Sequence, residues 1–347
     1  MSSGGDVFNR QQASVPPVSA PHVSVLLHEV VGALAPQANE IHVDGTFGAG
    51  GYTKALLQGA DCTVVAIDRD PDTKKHADAM AAEFGSRLIY LSGCFGDMDR
   101  LLPEAGQPQV DGVTLDLGVS SMQLDEAERG FSFMREGPLD MRMSQSGQSA
   151  ADLLNQAEPD LLSDILHVYG EEKRARAITK AIVARRAETP FVTTQDLVEV
   201  VISVLGAPRF GKSHPATRTF QAIRIYLNDE LGELLRGLQA AEQILKPGGR
   251  LAVVTFHSLE DRMVKQFFAP RTGRAGRPSR HQPDVEMAPP SFAEPVKRTI
   301  KASAEEIQGN PRSRSARLRV ALRTQAEAFP ESGDLMPRRA PQIKVHG

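Results

Sequence analysis

The chain has 347 residues, 41% apolar and 24% charged, enough to bury a full core as one large or two ordinary domains. A formal charge of −3 gives no overall basic signature, so any nucleic-acid surface has to be local. Cys62 and Cys94 stand too far apart for a CxxC metal clip or a disulfide framework and read as reduced structural thiols in a cytoplasmic protein, while no apolar run reaches membrane-spanning length.

Residues 1–20 are rich in Ser, Gly, Gln and Pro and lack the apolar core of a signal peptide, so a disordered arm is expected there. Over 23–35 apolar residues recur at helical spacing, with Val23, Leu26, Leu27, Val30, Val31 and Leu34 on one face, until Pro36 ends the helix. Residues 41–44 read as a strand that closes on Asp44 and runs into a glycine turn, Gly48-Ala-Gly50-Gly51. Residues without Cβ let the backbone fold tightly against a ligand, and the N–H groups of the following helix point at its polar end. A second strand, 62–68, ends on Asp68, where a βαβ unit presents an acid to a ribose. A helix over 71–84, a third strand over 87–92 and a fourth over 110–118 continue the alternation. It predicts an α/β, doubly wound parallel sheet whose ligand lies beyond the carboxyl ends of the strands, where Asp44, Asp68 and Asp116 all sit. For a lone Asp in such a place, a helix cap or a turn is the plainer role.

After Gly118 the alternation stops. Residues 149–206 are helical in pattern, which predicts an inserted helical domain over 122–216 between two parts of the sheet domain, 21–121 and 217–325. Residues 171–224 carry ten Lys or Arg against five acids, a local excess that fits either a solvated face or an RNA-phosphate surface. A single long helix is expected over 217–245, then a fifth parallel strand over 250–256, a mobile basic loop over 270–295 and two closing strands over 296–302 and 315–323. The tail, 326–347, reads as disordered.

A dinucleotide fingerprint starting at Gly48 needs Gly at position 53, which is Thr53. That weakens a nicotinamide reading. An acid four residues before the first glycine instead suits S-adenosylmethionine, whose ammonium group welcomes a carboxylate such as Asp44.

Eight stretches in order carry a more specific resemblance. They are Asp44-Gly-Thr-Phe-Gly-Ala-Gly-Gly, Ala66-Ile-Asp-Arg-Asp-Pro71, Leu115-Asp-Leu-Gly-Val-Ser-Ser121, Arg129-Gly-Phe-Ser-Phe-Met134, Gly137-Pro-Leu-Asp-Met-Arg142, His214-Pro-Ala-Thr-Arg-Thr-Phe-Gln221, Phe256-His-Ser-Leu-Glu-Asp-Arg262 and Asn310-Pro-Arg-Ser-Arg314. Together they resemble the RsmH (MraW) family, from about Pro21 to Arg323. The resemblance implies a Rossmann-like class I methyltransferase sheet. The implied reaction is S-adenosylmethionine-dependent methylation of a cytosine N4 in 16S ribosomal RNA, at the decoding-site position conventionally numbered 1402. The implied partner is the small (30S) ribosomal subunit, with no metal and no membrane, and a homodimer is left open. Carried over to this chain, the cofactor contacts fall on Gly50, Gly51, Tyr52, Asp68, Phe95, Asp116 and Gln123, beside Asp44. Tyr52 stands where relatives commonly carry His, and Met122 where they often carry Pro.

An exocyclic amine delocalises its lone pair into the ring, so its methylation requires a hydrogen-bond acceptor and in-line positioning. Asp116, with the Ser120 backbone, is the catalytic candidate. A stacked cytosine has to be drawn out of its helix, and His214, Arg218, Phe220, His257, Arg262 and the loop arginines of 271–280 are the RNA-binding candidates. The plainer role for His257 is a hydrogen bond at a helix start.

Overall fold

The computed structural model describes residues 24–274, 288–294, 299–330 and 335–341, and the arm expected over 1–20 lies outside them. In chain order the first half runs α1 (Leu27–Leu34), β1 (Ile41–Asp44), α2 (Gly51–Gly59), β2 (Thr63–Asp68), α3 (Lys74–Phe84), β3 (Leu88–Ser92), α4 (Met98–Glu104) and β4 (Val110–Asp116). Five helices follow without an intervening strand: α5 (Ser121–Asp125), α6 (Ala150–Gln156), α7 (Pro159–Val168), α8 (Ala175–Glu188) and α9 (Thr194–Leu205). The chain then forms α10 (Thr217–Leu227), α11 (Glu230–Ile244), β5 (Leu245–Thr255), α12 (Ser258–Arg271), β6 (Phe292–Ala293), β7 (Ile300–Lys301), α13 (Ala304–Gly309) and β8 (Arg317–Arg323).

The strands make one sheet in the order β3-β2-β1-β4-β5-β8-β6, with β7 also on β8. β1 to β5 pair in parallel, and β8 closes the edge antiparallel to β5. The order reverses between β1 and β4, the place where an open parallel sheet opens a crevice for a ligand. Alternate residues of the strands feed two apolar clusters. Val65, Ile67, Val113, Leu115, Leu251 and Val253 belong to one, with α4, α11, α12 and the helices of 150–205. Val64, Ala66, Ala252, Val254 and Leu318 belong to the other, with α1, α2 and α3. Both sheet faces are therefore covered, which is why these strands read as unbroken apolar runs. Capping boxes at Ser149/Asp152 and Thr193/Asp196 start α6 and α9. Among the described residues no helix is long and apolar enough to cross a membrane.

Three expectations are corrected. The single helix over 217–245 is broken at Asn228-Asp229, where Asp229 takes a left-handed φ of 49°. Tertiary bonds hold the break: Asn228 Nδ2 donates to the Met141 carbonyl at 2.8 Å and Asn228 Oδ1 accepts the Met143 N–H at 2.8 Å. The loop over 270–295 is structured at its ends, because Arg271 closes α12 with 1% of its surface exposed and Phe292–Ala293 forms β6. Arg277 and Arg280 lie outside the described residues. Within the tail expected to be disordered, Leu335, Met336 and Ala340 pack against the larger apolar cluster.

Candidate active site

The carboxyl ends of β1, β2 and β4 open into a cleft of about 750 Å³. Its floor is the glycine turn. The Gly48 N–H donates to Asp68 Oδ2 at 2.7 Å, and the Gly50 N–H donates to the Phe47 carbonyl at 2.7 Å. Gly48 and Gly50 take φ of +54° and +80°, where a Cβ is strained. At Gly51 a Cβ would stand 2.0 Å from Ser24 Oγ, so the start of α2 lies flat against the segment before α1.

Asp68, at the end of β2, lines the cleft. Its Oδ1 accepts the Asp70 N–H at 2.8 Å and its Oδ2 the Gly48 N–H. Each oxygen keeps a lone pair for a further donor. Burial pushes this carboxyl up to about 6. Phe95 lines the same wall, its N–H donating to Glu233 Oε1 at 3.0 Å, and its ring packs over Gly237 of α11.

Asp116, at the end of β4, also lines the cleft, and its Oδ1 is buried without a hydrogen-bond partner. Burial, and then the negative charge of Asp44, push its carboxyl well above the usual range. Nearby, Gly118 takes φ of +96°, and a Cβ there would meet Phe256 Cδ2 at 3.8 Å and Arg224 Nη2 at 3.9 Å. Arg224 forms a two-pronged pair with Glu230, Nε to Oε1 at 2.6 Å and Nη2 to Oε2 at 2.7 Å. Six residues apart on one unbroken helix, the two side chains would point to different faces. The break at Asp229 is what brings them together.

Other expected contacts take different positions. Asp44 does not line the cleft: it is fully buried beneath the turn, with Oδ2 accepting from Thr53 Oγ1 at 2.7 Å and Oδ1 accepting the Thr46 N–H at 3.2 Å. Its carboxylate organises the turn from below, and burial pushes it up to about 6 as well. Gly50 is turned from the cleft toward Phe47 and Met80. Tyr52 lines the cleft with 3% of its surface exposed, and its hydroxyl donates to the Val25 carbonyl. Gln123 lines it too, but its amide is committed elsewhere. Oε1 accepts the Ser120 N–H at 3.0 Å, and Nε2 donates to Asp70 Oδ2 at 2.7 Å.

The RNA-binding candidates divide. His214 stacks on Phe133 with centroids 4.7 Å apart, and Phe133 meets Phe220 edge-on at 5.3 Å; both Phe rings line the cleft. His257 lines it as the N-cap of α12, its Nδ1 accepting the Glu260 N–H at 3.4 Å, which is the plainer role foreseen for it. Arg218 and Arg262 are exposed and both reach Glu171: Arg218 Nη1 to its carbonyl at 3.3 Å, Arg262 Nη2 to its Oε1 at 3.0 Å. Arg271, expected on a basic loop, is instead buried against Glu242 Oε2 at 2.6 Å. Cys94 stays a structural thiol, pushed up to about 11 by burial.

Glu230, His257 and Glu260 place ligand atoms within 4.8 Å of one another. Arg224 already neutralises Glu230, and His257 Nε2 lies 3.0 Å from Glu260 Oε1. The cluster thus contains its own cation.

Sequence reasoning passed over Phe133, Arg224, Glu230 and the buried Asp70–Arg129 pair as site residues. All but Glu230 stand in or beside the quoted motifs. A question about which polar residues of a motif have no local partner could have found Asp70 and Arg129.

Residues 19–324 match the model of the MraW methylase family. A "Ribosomal RNA small subunit methyltransferase H" of Parvibaculum lavamentivorans is 55% identical over 312 residues, 90% of this chain and 92% of that one. The protein of that name from Rhodospirillum rubrum is 55% identical over 314 residues, 89% of this chain and 96% of that one. Among solved structures, an rRNA methylase from Streptococcus thermophilus is 11% identical, with a TM-score of 0.37 over 86% of this chain and 93% of that one, a distance from which nothing is inferred.

Proposed function

Because this chain belongs to the MraW methylase family, we propose that it is an S-adenosylmethionine-dependent methyltransferase of small-subunit ribosomal RNA, acting on the exocyclic N4 of the decoding-site cytidine of 16S RNA. The observation that carries the reading is Asp116 Oδ1, buried at the cleft without a hydrogen-bond partner, because the neighbouring Tyr52 hydroxyl donates to the Val25 carbonyl. An unpaired buried acceptor is costly, and an incoming amine removes that cost.

The residues present fit the cofactor. Asp68 keeps acceptor capacity for two ribose hydroxyls, Phe95 offers a ring face to adenine, and the turn of Gly48 to Gly51 offers backbone to the methionine end. When bound, S-adenosylmethionine supplies an electrophilic methyl group on a sulfonium. Asp116 Oδ1 accepts a hydrogen bond from N4–H, which localises the nitrogen lone pair, and holds the proton that N4 releases. Burial and the charge of Asp44 raise the affinity of this carboxylate for that proton. Gly118 lines the cleft between Phe256 and Arg224, which stand beside the acceptor. Asp44 and Gln123 act from behind, holding the turn and the Asp70 carboxylate in place.

Mass spectrometry of 16S RNA from cells lacking this gene tests the assignment. The expected result is the loss of one methyl group from N4 of a single decoding-site cytidine, restored by the wild-type gene and not by the Asp116→Ala variant. An unchanged methylation pattern overturns it.

A further inference from the structure

The segment joining α9 to α10 displays an aromatic ring in water. Residues 206–213 are all exposed, and Phe210 at their tip is 108% exposed. A turn presents it there: the Lys212 N–H donates to the Arg209 carbonyl at 3.1 Å, with Gly211 behind Phe210 at φ +73° and open space around it. Glycine at the third position of a turn is what a left-handed φ requires. Phe210 is thus flanked by Arg209 and Lys212, and no acid occurs between 206 and 213. Single exposed apolar residues are ordinary on a protein surface, and Met134 and Val192 are exposed too. Phe210 differs in standing between two cations on a built turn. It is also four residues from His214, which stacks on the cleft wall through Phe133, so its Cα lies within about 14 Å of the His214 Cα.

A base drawn into the cleft leaves an empty step in the RNA stack, and closing that step with an aromatic ring recovers part of the unstacking cost. An aromatic ring between cations is the combination that binds single-stranded nucleic acid: the ring takes a base face and the cations take phosphates. We propose that Phe210 is a stacking wedge that fills the step vacated by the methyl-accepting base, while Arg209 and Lys212 pair with the phosphates on either side. The wedge rests on the reading of the acceptor as an RNA base.

The chain contains no tryptophan, so Phe210→Trp installs a single fluorophore at the wedge. With S-adenosylhomocysteine bound and small subunits from cells lacking the gene added, its emission should be quenched, saturating in the concentration range of the KM, with methyl transfer retained. Phe210→Ala should lower kcat/KM about ten- to a hundredfold, the scale of one lost base-ring stack, with S-adenosylhomocysteine affinity unchanged as the control for folding. Trp emission that stays constant while subunits bind, or a Phe210→Ala enzyme within about twofold of wild type, overturns the wedge alone. Wild-type enzyme that transfers no methyl group to any base of those subunits overturns the substrate reading, and the wedge with it.

Discussion

Arg129 Nη1 lies 2.7 Å from Asp70 Oδ2 with both side chains buried, and this pair ties the segment after β4 to the turn after β2. The same guanidinium donates through Nη2 to the carbonyls of Arg142 at 3.0 Å and Met143 at 3.1 Å. Removing it strands a buried carboxylate. Arg129→Ala should destabilise the fold by about 3–5 kcal/mol in urea melts, and Arg129→Lys should recover little, because an ammonium does not reproduce the fork. A loss below about 1 kcal/mol would mean that water reaches Asp70.

Asp68 sets a pH dependence. Burial raises its carboxyl, and that of Asp44, from the ordinary 3.8 to about 6. A raised folded-state value contributes stability that is full below the unfolded value and is lost as pH rises through about 6. Binding of the proposed cofactor runs the other way, since its ribose hydroxyls would need the ionised acceptor. S-adenosylhomocysteine affinity should fall as pH drops below about 6. Asp68→Ala should weaken it by roughly 1.5–3 kcal/mol per hydrogen bond lost. Titration calorimetry on both sides of that pH checks both. An affinity that does not change with pH would place the cofactor elsewhere.

What was legible in the sequence was local. Glycines that need φ above zero and acids that end strands announce themselves within a few residues, which is why the turn from Asp44 to Gly51 and the positions of Asp68 and Asp116 could be read. The orientation of Asp44 could not, because it is decided by Thr53, one turn into α2, reaching back to the carboxylate. The break at Asp229 was equally hidden. Asn and Asp are mediocre helix residues rather than stops, and what holds the break is Asn228 bonding to residues 141 and 143, remote in sequence. Arg271 followed the Pro- and Arg-rich composition of its neighbours into a loop reading, whereas its partner Glu242 stands a helix away.

Asp116→Asn separates stability from activity. The Oδ1 atom has no partner to lose, and a neutral amide removes the repulsion with Asp44 and Glu260 that helps raise the Asp116 carboxyl. The raised value means that the ionised acid costs stability increasingly as pH climbs above 3.8. The apo variant should therefore melt higher than wild type at neutral to alkaline pH, by roughly 2 °C for each kcal/mol released. Methyl transfer should fall at least about a hundredfold, the lower range for a lost proton acceptor. A variant that keeps wild-type kcat would remove Asp116 from the chemistry.

Arg271 and Glu242 offer a stability test away from the cleft. Their side chains are 2% and 1% exposed, and the guanidinium carbon lies 3.8 Å from the Phe267 ring centroid. Arg271→Ala leaves Glu242 buried and uncompensated, and should cost about 3–5 kcal/mol while leaving S-adenosylhomocysteine affinity intact. Reduced cofactor affinity in folded protein would show that α12 transmits to the cleft.

Gly237 links the back of the cleft to the wall formed by Phe95. A Cβ there would stand 2.4 Å from Phe95 Cδ2 and 2.6 Å from Cε2, so Gly237→Ala forces the ring to move. The Phe95 N–H is fixed on Glu233 Oε1, which leaves rotation of the side chain as the way out, at a cost of order 0.5–1.5 kcal/mol for an off-rotamer ring. In the middle of α11, alanine regains about 0.8–1.0 kcal/mol of helix propensity, so the two effects nearly cancel in the melting curve. They do not cancel in binding, because only the displaced ring faces the ligand. Gly237→Ala should therefore melt close to wild type and bind S-adenosylhomocysteine several-fold more weakly. An unaltered affinity would mean that Phe95 packs on α11 without forming a wall for adenine.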